Sequence, residues 1–78
     1  MPTVFVFFGF CFKFYSDDHE PVHLHIFKED HEAKFNVQPE IIMVYNHGFK
    51  NNELAIIRSV LEENKEVIIE RWNEFFSK

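Results

Sequence analysis

Three of the five histidines in this chain lie within seven residues, at His19, His23 and His25. Two aspartates precede them, and Pro21 lies between the first and the second. Histidine changes its charge near neutral pH and is also the commonest metal ligand in proteins, so this stretch concentrates acid/base and metal-binding groups. We therefore take residues 16–26 as the candidate functional site.

From Val22 onward, the site has the alternation of a β-strand with one apolar face. Val22, Leu24 and Ile26 fall on one side of such a strand, while His23 and His25 fall on the other. The two histidines are then about 6.5–7 Å apart at the backbone. Two imidazoles at this spacing suit two ligands of one ion, or an acid and a base on either side of one small group.

The sequence supports three roles for the histidines and leaves all three open. They can be solvated polar residues on the exposed face of a half-buried strand. They can instead form an open zinc-type site held by His19, His23 and His25, with Asp17 or Asp18 as a further ligand. This spacing lacks both the helical register of the HExxH motif and a cysteine partner.

The third role is acid/base catalysis, with Tyr15 and either Lys13 or Lys34 near the reacting group. Two imidazoles, one protonated and one neutral, can deprotonate a hydroxyl and protonate a leaving oxygen. That chemistry serves a metal-free phosphodiester transfer on RNA. However, the sequence contains no run of lysines or arginines that would hold the phosphate.

The elements that position this site begin with a predicted β-hairpin. Residues 3–7 and 10–15 are rich in aromatic and β-branched side chains, and Phe8-Gly9 is the two-residue turn between them. The phenylalanines at 10, 12 and 14 share one face, which we expect in the core. Lys13 and Tyr15 lie on the opposite face, which a neighbouring strand's histidines can share.

Three more strands and a helical C-terminus follow. Strands are expected at about 22–28 and 32–37, and the apolar run 41–45 is either a strand or one helical turn. From Asn51 the apolar period changes to that of a helix, in a stripe formed by Leu54, Ile57, Leu61, Ile68, Trp72 and Phe75. Asn51 or Asn52 is expected to cap the helix, and a break is expected near Asn64.

These elements predict an α+β fold within a single domain, residues 1–78. Four or five short antiparallel strands form a meander, and the C-terminal helical segment packs on one face of the sheet. The alternative is a sheet that wraps one long helix. Eleven phenylalanines supply the apolar volume that so short a chain needs for a core without disulfides.

Composition also bounds the compartment and the partners. The single cysteine excludes an internal disulfide, and the longest N-terminal apolar run is too short to span a bilayer, so we expect a cytoplasmic protein. The net charge of −5 disfavours nucleic acid as a tightly held ligand and favours a basic partner. Fourteen aromatic residues exceed what the core can hide, which predicts a cognate small protein or a second copy on the remaining surface.

Several short motifs run in a fixed order along nearly the whole chain. They are Met1-Pro2-Thr3, Phe14-Tyr15-Ser16, the segment from Asp18 to His25, Glu32-Ala33-Lys34-Phe35, Gly48-Phe49 and the segment from Trp72 to Phe76. In these motifs the chain resembles a small, mostly bacterial family known as domain of unknown function 4160. Val22 departs from the family pattern, where a second proline is common, as does Lys50, where a helix-capping serine or threonine is expected.

The resemblance implies a gene paired with a second small protein, in an arrangement proposed as a toxin–antitoxin module with this chain as the toxin. The positions of interest carried over from the family are His19, His23 and His25, with Tyr15, Lys34 and Trp72 as companions. The resemblance supplies no reaction. We expect a toxin that acts on RNA through the histidines. The alternative is a non-enzymatic module that binds a protein or a divalent metal such as zinc.

Overall fold

Five strands and two helices make up the part of the fold that the structure describes. The computed structural model describes residues 3–15, 19 and 21–76. The elements in chain order are β1 (Thr3–Phe7), β2 (Phe10–Lys13), β3 (His23–Lys28), β4 (His31–Asn36), β5 (Ile42–His47), α1 (Asn51–Glu63) and α2 (Lys65–Phe76). The strands form one antiparallel sheet in the order of the chain. The predicted α+β meander is confirmed, and the run near residue 42 is a strand rather than a helical turn.

The hairpin of β1 and β2 closes through a two-residue turn. Phe7 pairs with Phe10, and the two residues between them, Phe8 and Gly9, both have positive φ, +52° and +81°. This backbone twist matches the twist of the flanking strands, which is why short hairpins use it. The predicted Phe8-Gly9 turn is therefore confirmed.

One face of the sheet and both helices enclose the hydrophobic core of the described residues. Phe10 and Phe12 of β2 and Phe14, which follows directly after it, are buried, as the alternation predicts. The core also contains Leu24, Ile26, Ala33, Phe35, Ile57, Leu61, Ile68 and Trp72. The helical stripe is confirmed except at its end. Phe75, on the last turn of α2, is exposed, although its ring contacts Phe14 at 5.3 Å between centroids.

Local hydrogen bonds define the start of α1 and the break between α1 and α2. The N-cap of α1 is Lys50, so the expectation that Asn51 or Asn52 caps the helix is wrong. The Glu53 carboxylate accepts a hydrogen bond from the Lys50 backbone N–H at 2.9 Å, which satisfies a donor that a helix start otherwise leaves unpaired. The predicted break at Asn64 is confirmed: its backbone and side-chain N–H groups both donate to the Val60 carbonyl.

No helix among the described residues is both long and apolar enough to cross a membrane.

Candidate functional site

By strand alternation His23 and His25 project from the face opposite Leu24 and Ile26, and His23, at the start of β3, also contacts Trp72 of α2. Side chains alternate along each strand, so residues in register with His23 and His25 project from the same face. We call this surface the histidine face. It is formed by Lys13, Tyr15, His23, His25, Phe27, Glu32, Lys34, Asn36 and Tyr45.

Strand register places His25 between two lysines. On β2 its Cα partner is Lys13, and on β4 its Cα partner is Lys34. Residues directly opposite each other in an antiparallel pair have Cβ atoms about 4.5–5.5 Å apart. The sequence shows no basic cluster because the lysines come from different strands, whereas the sheet assembles one around His25.

Both histidines of the pair are almost completely buried. His23 is 5% exposed and His25 is 9% exposed. Their rings lie 5.3 Å apart, centroid to centroid, and the Trp72 ring lies 5.3 Å from His23. Tyr15 packs edge-on against His25 at 4.7 Å. The solvated interpretation therefore does not describe His23 or His25.

His19 differs from this pair in its exposure to solvent. It is exposed, and among the described residues it takes part in none of the ring contacts that join His23 to His25. Asp17 and Asp18, the further ligands considered for a metal, lie outside the described residues. Within residues 3–15, 19 and 21–76, no group of three or more histidine, cysteine or acidic side chains is placed to hold a metal ion.

The Pro21 carbonyl orients the His23 ring. Its oxygen lies 2.8 Å from His23 Nδ1. A carbonyl oxygen can only accept a hydrogen bond, so Nδ1 must carry the proton and donate it. In the neutral ring, Nε2 is then the nitrogen that can accept a proton, which is the arrangement required of a general base.

A carboxylate approaches His25 from the neighbouring strand. Glu32 Oε2 lies 3.8 Å from His25 Nδ1 and also accepts a hydrogen bond from the Tyr45 hydroxyl at 2.6 Å. The two histidines thus lie in different environments, with a neutral oxygen beside His23 and an acidic one beside His25.

A family comparison covers this whole surface. The model of the family described as Domain of unknown function (DUF4160) matches residues 9–73, which include all of the histidine face and Trp72. The chain belongs to this family. Comparison with curated proteins and with solved structures found no match. The DUF4160 description assigns no activity, so the chemistry of the domain must be argued from its geometry.

Two members of the histidine face in this DUF4160 domain were missed by sequence reasoning. Strand alternation indicates only that Glu32 points outward, and Tyr45 ends an apolar run whose structure the sequence leaves ambiguous. The β4–β5 register, with an irregularity between Lys34 and Phe35, brings the two side chains together. Alternation alone could have placed Glu32 on this face, but it could not have identified its partner.

The Tyr45 hydroxyl is expected to lose its proton at an unusually high pH. Burial, together with the hydrogen bond to Glu32 and the negative charge of that carboxylate, raises the pKa of Tyr45 from 10.0 to about 12. Between these values the unfolded chain loses a proton that the folded chain keeps. Tyr45 therefore contributes stability that is complete below pH 10 and is lost as the pH rises toward 12.

Alkaline titration followed by tyrosinate absorbance measures this directly, since only Tyr15 and Tyr45 contribute. Tyr45→Phe should remove the late transition. Glu32→Gln should move it part of the way back toward pH 10, because burial is the larger cause. A wild-type Tyr45 that titrates near pH 10 in the folded protein would contradict the geometry.

Proposed function

We propose that this DUF4160 domain is the toxin of a toxin–antitoxin pair and cleaves RNA, with His23 and His25 as the base and the acid of a phosphodiester transfer. The observation that carries the proposal is the pair itself. Two imidazoles lie side by side. The Pro21 carbonyl orients His23, and His25 lies beside the Glu32 carboxylate and between Lys13 and Lys34.

Each histidine has a defined step. Because both rings are buried, RNA reaches them only when the side chains that cover them move aside. His23 Nε2 then takes the proton of a ribose 2′-hydroxyl, whose oxygen attacks the adjacent phosphorus. As the new bond between this oxygen and phosphorus forms, the bond from phosphorus to the 5′-oxygen of the next nucleotide breaks. The His25 imidazolium gives its proton to that leaving oxygen, so the products are a cyclic phosphate and a free 5′-hydroxyl.

Lys13 and Lys34 supply the basic groups that the phosphate needs, although they do not form a cluster in the sequence. Lys13 and Lys34 lie on opposite sides of His25, where they can stabilise the charge that develops on the phosphate oxygens. The Lys13 ammonium also lies 4.7 Å from the Phe27 ring centre. Together with Tyr15, Phe27 offers an aromatic surface on which an unpaired base can stack. The net charge of −5 describes the whole chain, whereas this face carries two lysines, Lys13 and Lys34, and one carboxylate, Glu32.

The test compares induced expression of the wild-type chain with that of a Lys13→Gln/Lys34→Gln double variant. Wild type should arrest growth and degrade RNA, and co-expression of a cognate small protein should lift the arrest. The double variant should bind a single-stranded RNA more weakly, with a log–log salt slope lower by about 0.7 per lost contact. Lys50→Gln, at the start of α1, is the matched control and should change neither.

A wild-type chain that neither arrests growth nor cleaves RNA would contradict the proposal. So would a lysine double variant that is indistinguishable from Lys50→Gln.

A metal-binding module is the second candidate. A ligating histidine commonly donates its other ring N–H to a carbonyl, as His23 does to Pro21. His23 and His25 would each supply one ligand, and a third, such as His19, would have to come from the loop before β3 to hold an ion such as zinc. Cleavage that EDTA abolishes and zinc restores would favour this candidate, whereas cleavage that EDTA leaves unchanged supports the metal-free mechanism.

A further inference from the structure

An apolar groove lies between the tip of the first hairpin and the outer side of α1. It has a volume of about 370 Å³. Phe7 and Phe8 form one wall, and Ala55, Ile56 and Val60 form the other. Phe8 is 70% exposed and Ile56 is 37% exposed, so the groove opens to solvent, while the buried Val60 joins its wall to the core.

Phe8 is an unexpected residue at its position. Its φ of +52° lies in the left-handed region, which asparagine and glycine adopt readily and a bulky aromatic side chain rarely does. Its ring packs on Phe7 at 4.3 Å but contributes nothing to the buried core. A residue that costs stability in the turn and adds none in the core indicates a contact outside the fold.

Charge identifies what kind of partner fits the groove. Glu63 lines one end, where the groove meets a second depression lined by Glu62 and Glu66. Lys65 also lines this depression, but its ammonium donates to the Pro39 carbonyl at 3.2 Å. An apolar floor that ends on three carboxylates complements a basic segment. A second copy of this chain, itself at −5, would bring further negative charge.

The shape of the α1 wall suits a helix. The lining residues recur at Ile56, Val60 and Glu63, over about 10 Å of helix axis. Ala55 and Ser59 beside them are small, so a second helix could lie close along this wall. An amphipathic helix that lays its apolar face into a groove is a recurring mode of recognition.

We propose that this groove docks a basic amphipathic helix of a partner protein. The proposal stands independently of the RNA chemistry, because none of its residues belongs to the histidine face. The groove is then the surface on which the expected cognate small protein would bind. That protein should present leucine-like side chains into the groove and lysines or arginines toward Glu63.

Three synthetic helical peptides test this by fluorescence anisotropy. The first has a leucine face and a lysine face, the second replaces lysine by glutamate, and the third replaces leucine by serine. Only the first should bind. Phe8→Asn should weaken its binding by about tenfold or more, as expected for an interface anchor, while the variant remains at least as stable as wild type because asparagine suits the turn. Val44→Thr, an exposed residue of β5, is the matched control.

The charge contribution has its own pair of variants. Glu63→Gln should weaken binding of the leucine–lysine peptide, and Glu74→Gln, on the exposed end of α2, should not. Equal binding of the glutamate peptide would overturn the proposal, as would unchanged binding by folded Phe8→Asn. A dimer that Phe8→Asn dissociates would assign the groove to a second copy instead. Peptide binding that a His23→Gln/His25→Gln variant retains would support the docking proposal independently of the proposed RNA cleavage.

Discussion

Replacement of His23 by alanine is expected to lower the rate of RNA cleavage by about 10²–10⁴-fold, which is the usual contribution of one general acid or base. His25→Ala should have an effect of the same size. The two losses should not add, since either variant leaves the transfer without one of its proton steps. Single-turnover cleavage of an RNA oligonucleotide, with folding checked by circular dichroism, measures both rates.

The pH dependence separates a catalytic role from a structural one. If one histidine is the base and the other the acid, the wild-type rate should pass through a maximum. Each single variant should then lose one side of that profile. Lys50→Gln, at the start of α1 and outside the histidine face, is the control and should retain the wild-type rate.

His19→Ala decides whether the third histidine of the motif takes part. Its exposure in the structure predicts a small effect. A loss as large as that of His23→Ala would return His19 to the site, as the family motif implies. Unchanged cleavage by both His23→Ala and His25→Ala would remove the catalytic assignment of the pair.

Phe12→Ala is expected to unfold the protein or leave it marginally stable. Phe12 is 0% exposed at the centre of the core, and truncation of a buried phenylalanine typically costs about 3–5 kcal/mol, through lost transfer energy and the cavity left behind. A chain of this length has a total stability of only about 4–12 kcal/mol. The midpoint of urea unfolding should therefore fall steeply or be lost.

Phe8→Ala is the matched control for this truncation. It removes the same atoms from a side chain that is 70% exposed, so it should change the free energy of unfolding by less than about 1 kcal/mol. Equal losses in the two variants would mean that the sheet does not bury the face to which Phe12 belongs.

The faces of the strands follow from the sequence because alternation is a local property. A strand turns its side chains to opposite sides whatever surrounds it, so Leu24 and Ile26 had to oppose His23 and His25. Alternation gives the same result in the second strand of the hairpin. The period of the C-terminal segment and the break at Asn64 are local in the same sense, since both depend on residues within one or two turns of each other.

The family motif is also a property of the sequence alone. The spacing of the histidines, Tyr15, Lys34 and Trp72 indicates the family without any knowledge of their contacts, and the family model matches the region that contains them. Sequence spacing could not show, however, which members of the motif meet. The structure joins His23, His25, Tyr15 and Trp72 through ring contacts and leaves His19 exposed.

Burial and electrostatics were decided by the tertiary structure alone. Trp72 covers His23 from a helix far along the chain, and register places Lys13 and Lys34 beside His25. Such contacts depend on which strand pairs with which and where a helix ends, and no local period encodes either. The sequence by itself therefore determined which residues share a face. Only the fold determined that two of its histidines lie out of solvent, and that one of them, His25, has charged residues of both signs beside it.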